Sequence, residues 1–240
     1  MNSKIIISGH SSGLGRALTA YYLAQGRAVL GLSRRPTDLR PSEILQQHLI
    51  DLSDSQALIK WLSDGMMRHF MSDADEIVLI NNAGTVAPNA VAGQQDADAL
   101  CQAVSLNITA PLLLSNHAVA AKPAAAMLKI AHISSGAGRT AYPGWSVYGA
   151  TKAALDHHAR CIAAEGHRHV QIASIAPGVV DTPMQAEIRM ADAGVFPMVQ
   201  RFQDLKTAGG LSSAEDTATV LAAMIAQPQF GSQRLADVRD

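Results

Sequence analysis

Cysteine is nearly absent from this chain of 240 residues. There are two, Cys101 and Cys161, set in separate helix-like stretches. Neither a CxxC pair nor a disulfide framework can be built from them, and they read as small buried apolar side chains. Net charge is nearly absent too: 19 Lys and Arg stand against 20 Asp and Glu, a formal −1. A nucleic-acid partner, which asks for a basic face, is therefore not expected. Charged residues make up only 16% and hydrophobic ones 48%, a balance that excludes disorder. No uninterrupted apolar run approaches the roughly 20 residues that cross a bilayer. The three isoleucines after Lys4 in MNSKIIISGH are too few for a signal peptide. These absences lead to the expectation of a soluble, cytoplasmic protein with no membrane partner. Nor is a metal expected. His157 and His158 are adjacent on a helix and diverge, while His167 and His169 lie near its end. Without a third convergent ligand these read as solvated side chains.

What is present is alternation. Apolar, β-branched runs at Lys4–Ser8, Ala28–Ser33, His48–Asp51, Glu76–Ile80, Met127–Ser134 and Val170–Ile175 read as strands, with a last one at Gln233–Asp237. Between them lie helical patterns: Gly13–Gln25, ended by Gly26; one capped by Ser53 and running to Phe70; Asp96–Ala121; Ser146–His167; and one from Ser213 to Ile225. Such repetition implies right-handed crossovers and a parallel sheet covered by helices on both faces. With no linker, repeat or low-complexity segment, residues 1–240 read as one α/β domain. Two segments look irregular, Pro36–Pro41 and Pro183–Thr207.

Between the first strand and the first helix stands SGHSSGLG, with Gly9, Gly13 and Gly15 spaced GxxxGxG. Glycines here let the backbone turn tightly and approach a pyrophosphate resting on the helix N-terminus. Ser11 and Ser12 add hydroxyl donors. At the end of the second strand a carboxylate would hold the ribose of NAD, but the chain has Ser33-Arg34-Arg35. Guanidinium pairs well with phosphate, so NADP is the expected cofactor. Asp51 ends the third strand, where it either accepts from the adenine amino group or serves as a helix-entry residue. Small residues at Asn82-Ala83-Gly84 leave room for a flat ring system.

The densest stretch is ISSGAGRTAYPGWSVYGATK, residues 133–152. Ser135 sits at a strand end, Tyr148 thirteen positions on, and Lys152 four beyond that. On a helix Tyr148 and Lys152 share one face, a turn apart. A free phenol titrates near pH 10, and a neighbouring cation favours the phenolate. A phenol tuned in this way exchanges a proton with a substrate oxygen, to which Ser135 also donates.

The joint pattern of SGHSSGLG, NNAG, Asn107, Ser135, YGATK and Pro177-Gly178 resembles the short-chain dehydrogenases/reductases, in order from Ser8 to about Met184. The resemblance implies a Rossmann-like doubly wound sheet in strand order 3-2-1-4-5-6-7. It implies Tyr148 as the acid/base, with Lys152 on the nicotinamide ribose lowering the phenol's pKa. Ser135 would orient the substrate carbonyl and Asn107 hold a water in a proton relay. Ser12 and Leu14 would meet the pyrophosphate, Asp51 and Leu52 the adenine, and Asn82, Ala83 and Gly84 the adenosine side. Pro177, Gly178, Val180 and Thr182 would line the nicotinamide. It also implies a homodimer through the helices at 96–121 and 146–167.

A narrower likeness is to the sepiapterin reductase/benzil reductase branch. It rests on Trp145 three before the tyrosine, on PGVVDTPMQ and on the ending LADVRD. It implies reduction of a vicinal dicarbonyl or pterin-like compound, with Asp237 as the substrate anchor. The chain departs from the family at Ser8, at His10, and at Ser12, where many NADP users have a basic residue. Met184, Met190, Met198, Phe196 and Phe202 crowd the segment after strand six, as a flexible apolar lid at about 183–207 would. The expected activity is thus NADPH-dependent carbonyl reduction. A non-catalytic NADP-binding regulator and an NAD-dependent alcohol dehydrogenase share the fold as alternatives.

Overall fold

The computed structural model describes residues 2–240. Seven strands form one parallel sheet: β1 (Ser3–Ser8), β2 (Ala28–Ser33), β3 (Leu45–Leu49), β4 (Glu76–Asn81), β5 (Met127–Ile133), β6 (Val170–Ala176) and β7 (Leu235–Asp237). Their order is β3-β2-β1-β4-β5-β6-β7. Strands covered on both faces need apolar side chains at successive positions, and alternation sends them to opposite sides. Ile5 and Ile7 of β1 pack with α1 (Gly13–Ala24) and α9 (Ala214–Ala226). Ile6, between them, packs on the other face with α2 (Ser55–Ser63), α3 (Met66–Met71) and α5 (Ala110–Ala121). The strand order reverses between β1 and β4, and the carboxyl ends of the strands open there on a cleft, as in other sheets of this kind.

Several elements differ from the sequence reading. The third strand is Leu45–Leu49, not His48–Asp51: β2 fixes the register, Val29 opposite Leu45 and Ser33 opposite Leu49. It is an edge strand carrying exposed Gln46 and Gln47, so its pattern is polar. The helix expected to run from Ser53 to Phe70 is two helices. Asp54, not Ser53, caps the first, accepting from the N–H groups of Gln56 and Ala57. Gly65, at φ +80°, then breaks the run, a backbone conformation that few other residues adopt. The segment 183–207, expected to be irregular, holds α7 (Pro183–Arg189) and α8 (Val199–Thr207). Residues 97–121 are continuous helix, but a π turn at 105–109 joins α4 (Ala97–Val104) to α5. α6 spans Ser146–Glu165. Cys101 and Cys161 are exposed rather than buried.

Candidate active site

At the ends of β1 and β4 the chain is tied down by short bonds. The Ser8 hydroxyl accepts from the N–H groups of Asn82 and Ala83, both at 3.0 Å. The Asn82 amide donates back to the carbonyls of Ser8 and Gly9. Gly15 lies so close under this junction that a Cβ there would stand 2.1 Å from the Gly9 oxygen. Ser12 is the N-cap of α1, and its side chain makes no capping bond. The hydroxyl and the first-turn N–H groups are therefore available to an anion at the helix terminus.

This loop forms one end of a cleft of about 450 Å³. Gly9, Ser11, Ser12, Gly13 and Leu14 line that end, with Arg34 and Arg35, both exposed at the end of β2. Asp51 and Leu52 lie alongside. The Asp51 carboxylate accepts from the Ser53 hydroxyl (2.7 Å) and N–H (2.9 Å). Those bonds hold it below the usual carboxylate range, so it does serve the turn into α2. Asn82, Ala83, Gly84, Pro177, Gly178, Val180 and Thr182 also line the cleft. Glycines, unspent hydroxyls and N–H groups, and two guanidiniums fit the phosphates of a dinucleotide.

Ser135, Tyr148 and Lys152 face the other part of the same cleft. Ser135 stands two residues past the end of β5, its hydroxyl accepting from the Ala137 N–H. Tyr148 and Lys152 sit a turn apart near the start of α6, both buried. Burial holds the phenol above its ordinary value, with the Ser135 hydroxyl pulling the other way. Burial lowers Lys152 to about 8, opposed by Asp156. The net direction at the phenol is thus upward, set by burial. Lys152 Nζ lies 5.7 Å from the Tyr148 ring centroid and donates to the Ile133 carbonyl at 2.8 Å. Asn107 stands in the π turn, fully buried. It accepts from the Thr85 N–H and donates to the Thr85 carbonyl, both at 2.8 Å, and to the Thr151 hydroxyl. Such turns cluster at functional positions.

Aromatic rings wall the Tyr148 end. Trp145 donates to Asn89 at 2.7 Å and packs against Tyr148, Tyr142 and Phe202 at centroid distances of 5.1, 5.9 and 5.0 Å. Met184 lines the cleft beside them. Asp237 does not. Its oxygens take the Arg239 guanidinium at 2.7 and 2.6 Å, and its side chain is 13% exposed. The tail meets the cleft through Arg239 instead, because the chain turns directly after the three-residue β7.

The matched family model, short chain dehydrogenase, covers residues 3–193. The chain belongs to the short-chain dehydrogenases/reductases. Within that family it is 35% identical to a benzil reductase ((S)-benzoin forming) of Bacillus subtilis (strain 168), an alignment covering 98% of each chain. It is 29% identical to a sepiapterin reductase of Meriones unguiculatus, over 98% of this chain and 95% of that one. A solved short-chain dehydrogenase/reductase from Burkholderia vietnamiensis superimposes with a TM-score of 0.73 at 38% identity, covering 100% of this chain and 98% of the other. The benzil/sepiapterin reductase branch read from the sequence is thus supported, and the activity is oxidoreduction at carbonyl or alcohol groups. Members of the family bind nicotinamide cofactors and act on small molecules.

Three groups around this reductase site have no signal in the spacing of motifs. The His10 ring is fully buried, bonded to the Gln47 amide oxygen (2.8 Å) and the Ser33 hydroxyl (3.0 Å). It links the glycine-rich loop to β2 and β3. Arg139, just past Ser135, reaches Asp156 on α6 and the carbonyls of Ser174 and Ala236. His132 is buried, bonded to Asn81 and to His158; burial lowers it to about 3, so it is neutral. His157 is exposed as expected, but His158 is half-buried in this chain of bonds.

Proposed function

We propose that the protein is an NADPH-dependent carbonyl reductase. Its substrate would be a ketone or vicinal dicarbonyl of the benzil or pterin-like kind. One observation carries this reading: the buried Ser135–Tyr148–Lys152 set opens on the same cleft as the glycine loop and the arginines of β2. The bound nicotinamide supplies the hydride. Tyr148, kept protonated by burial, is suited to donate a proton to the carbonyl oxygen rather than to withdraw one from an alcohol. Ser135 holds that oxygen. Lys152, with a value near 8, still carries its charge at pH 7 and stabilises the phenolate left behind. Asn107 maintains the relay behind it. Asn82, Ala83, Gly84, Pro177, Gly178, Val180 and Thr182 position the cofactor, and α7 and α8 act as the lid. Oxidation of NADPH against α-diketones, pterins, quinones and simple ketones tests the reading. No turnover with any of them would favour the regulator.

Arg34 is assigned the 2′-phosphate. Arg34→Ala should raise the NADPH Michaelis constant roughly 10- to 100-fold, the loss of a charge-assisted contact. NADH should be nearly unaffected; equal loss with both cofactors would make Arg34 a structural residue.

We also place the enzyme in the cytoplasm as a homodimer, without nucleic-acid or membrane partners. The helix 97–121 supports the pairing. Its most apolar stretch reaches a mean hydropathy of 1.3, enough by composition alone for a membrane span, yet only 28% of it is buried within the chain. Val104 on that helix is an exposed apolar residue. A two-fold pairing with α6 would cover it. Light scattering at micromolar concentration should give twice 25.3 kDa; a monomer refutes the assignment.

A further inference from the structure

The Tyr148 end of the cleft is cationic. Among its lining residues Asp51 is the one acidic side chain, and it stands at the far end beside Arg34. Two arginines line the near end, Arg201 of α8 and Arg239 of the tail. They are not equivalent. Arg239 already has Asp237 across its fork, with Asp240 close by. Elsewhere on α7 and α8 the cations are also paired, Arg189 and Lys206 both with Asp181. Among the described residues Arg201 has no carboxylate partner; its guanidinium lies over the Tyr142 ring, 5.0 Å from the centroid. A guanidinium resting on a ring face keeps in-plane N–H donors to give. Tyr142 in turn packs on Trp145, and Trp145 on Tyr148. The unspent cation is thus two aromatic rings away from the phenol, along an apolar wall.

Resting on the reductase reading above, we infer that the natural substrate carries an anionic group, a carboxylate in chemical class, beyond a flat apolar spacer from the reacting carbonyl. Arg201 receives that group. The wall formed by Tyr142, Trp145 and Phe202 accommodates the spacer, and the planar fork of arginine matches a carboxylate's two oxygens. Arg201 is exposed, so its removal leaves the fold intact.

The test compares benzil, benzil bearing a para carboxylate and the methyl ester of that acid, with NADPH. The wild type should prefer the carboxylate to the ester by roughly tenfold in kcat/KM, the contribution of a charge-assisted contact partly screened by solvent. The preference should appear in KM and weaken with added salt. Arg201→Gln should remove it and leave benzil within about twofold. Equal rates for acid and ester in the wild type overturn the inference, as does an equal loss on all three substrates. A preference that disappears with Arg239→Gln and survives Arg201→Gln also overturns it. Failure to reduce benzil or the ester at all would instead strike the reductase reading itself, so the two failures are distinct.

Discussion

Tyr148→Phe should lose at least about 100-fold in turnover while binding NADPH within a few fold of the wild type. The substitution is narrow. The ring stays against Trp145, 5.1 Å away, and in the buried pocket. Only the hydroxyl, protonated at neutral pH, is removed. Binding is read by nucleotide fluorescence and turnover by NADPH oxidation with an α-diketone. A Phe variant with near-normal turnover would show that the proton comes from elsewhere, and the mechanism would fall.

The second large effect is on stability. Asp156, on α6 one turn beyond Lys152, has a side chain only 8% exposed. It accepts from Arg139 at 2.9 Å and from the Ser174 hydroxyl at 2.7 Å. Asp156→Ala leaves the Arg139 Nε–H and the buried Ser174 hydroxyl without their acceptor. Breaking a buried pair from one side costs about 3–5 kcal/mol, or roughly 10 °C in melting temperature for a chain of this size. Asp156→Asn, which keeps one acceptor, should lose less. Arg139 also holds the ends of β6 and β7, so the loop bearing Ser135 should loosen along with the fold. A melting point within a degree or two of the wild type for the Ala variant would show that the pair is idle.

The parts of the fold legible in the sequence are those with a physical reason to be. Strands β1, β2, β4, β5 and β6 are covered on both faces and need unbroken apolar runs. The edge strand β3, with Gln46 and Gln47 in the open, has no such need and was displaced by a few residues in the reading. The π turn at 105–109 was invisible because an apolar helical pattern continues through one extra residue. Residues 183–207 looked irregular because Pro183 opens α7 and Gly194 and Pro197 lie between two short helices.

In the site, Ser135, Tyr148 and Lys152 were legible from spacing, because a strand end and a helical turn fix their separation. Their proton affinities were not, since burial is no property of spacing and it reversed the expected shift of Tyr148. Asp237 was read as an anchor from the likeness of the LADVRD ending to the pterin-reducing branch; the arginine two residues on takes both its oxygens. Arg139 and Asp156 lie seventeen residues apart, and nothing local joins them.

Gly31, in the middle of β2, faces the His10 ring so closely that a Cβ would sit 2.3 Å from its Cγ. Ring and glycine share one space. Any side chain at 31 requires a smaller residue at 10, and a smaller residue at 10 forfeits the bonds that tether Ser33, next to Arg34. The two positions are therefore epistatic. Change at 31 is open only to a lineage that has already shrunk residue 10, and that first change would reach the turn that carries Arg34 and Arg35. Attempts to alter nucleotide preference by substitution at 34 or 35 alone leave that tether in place, whereas grafting a loop from a relative with a small residue at 10 removes it unnoticed.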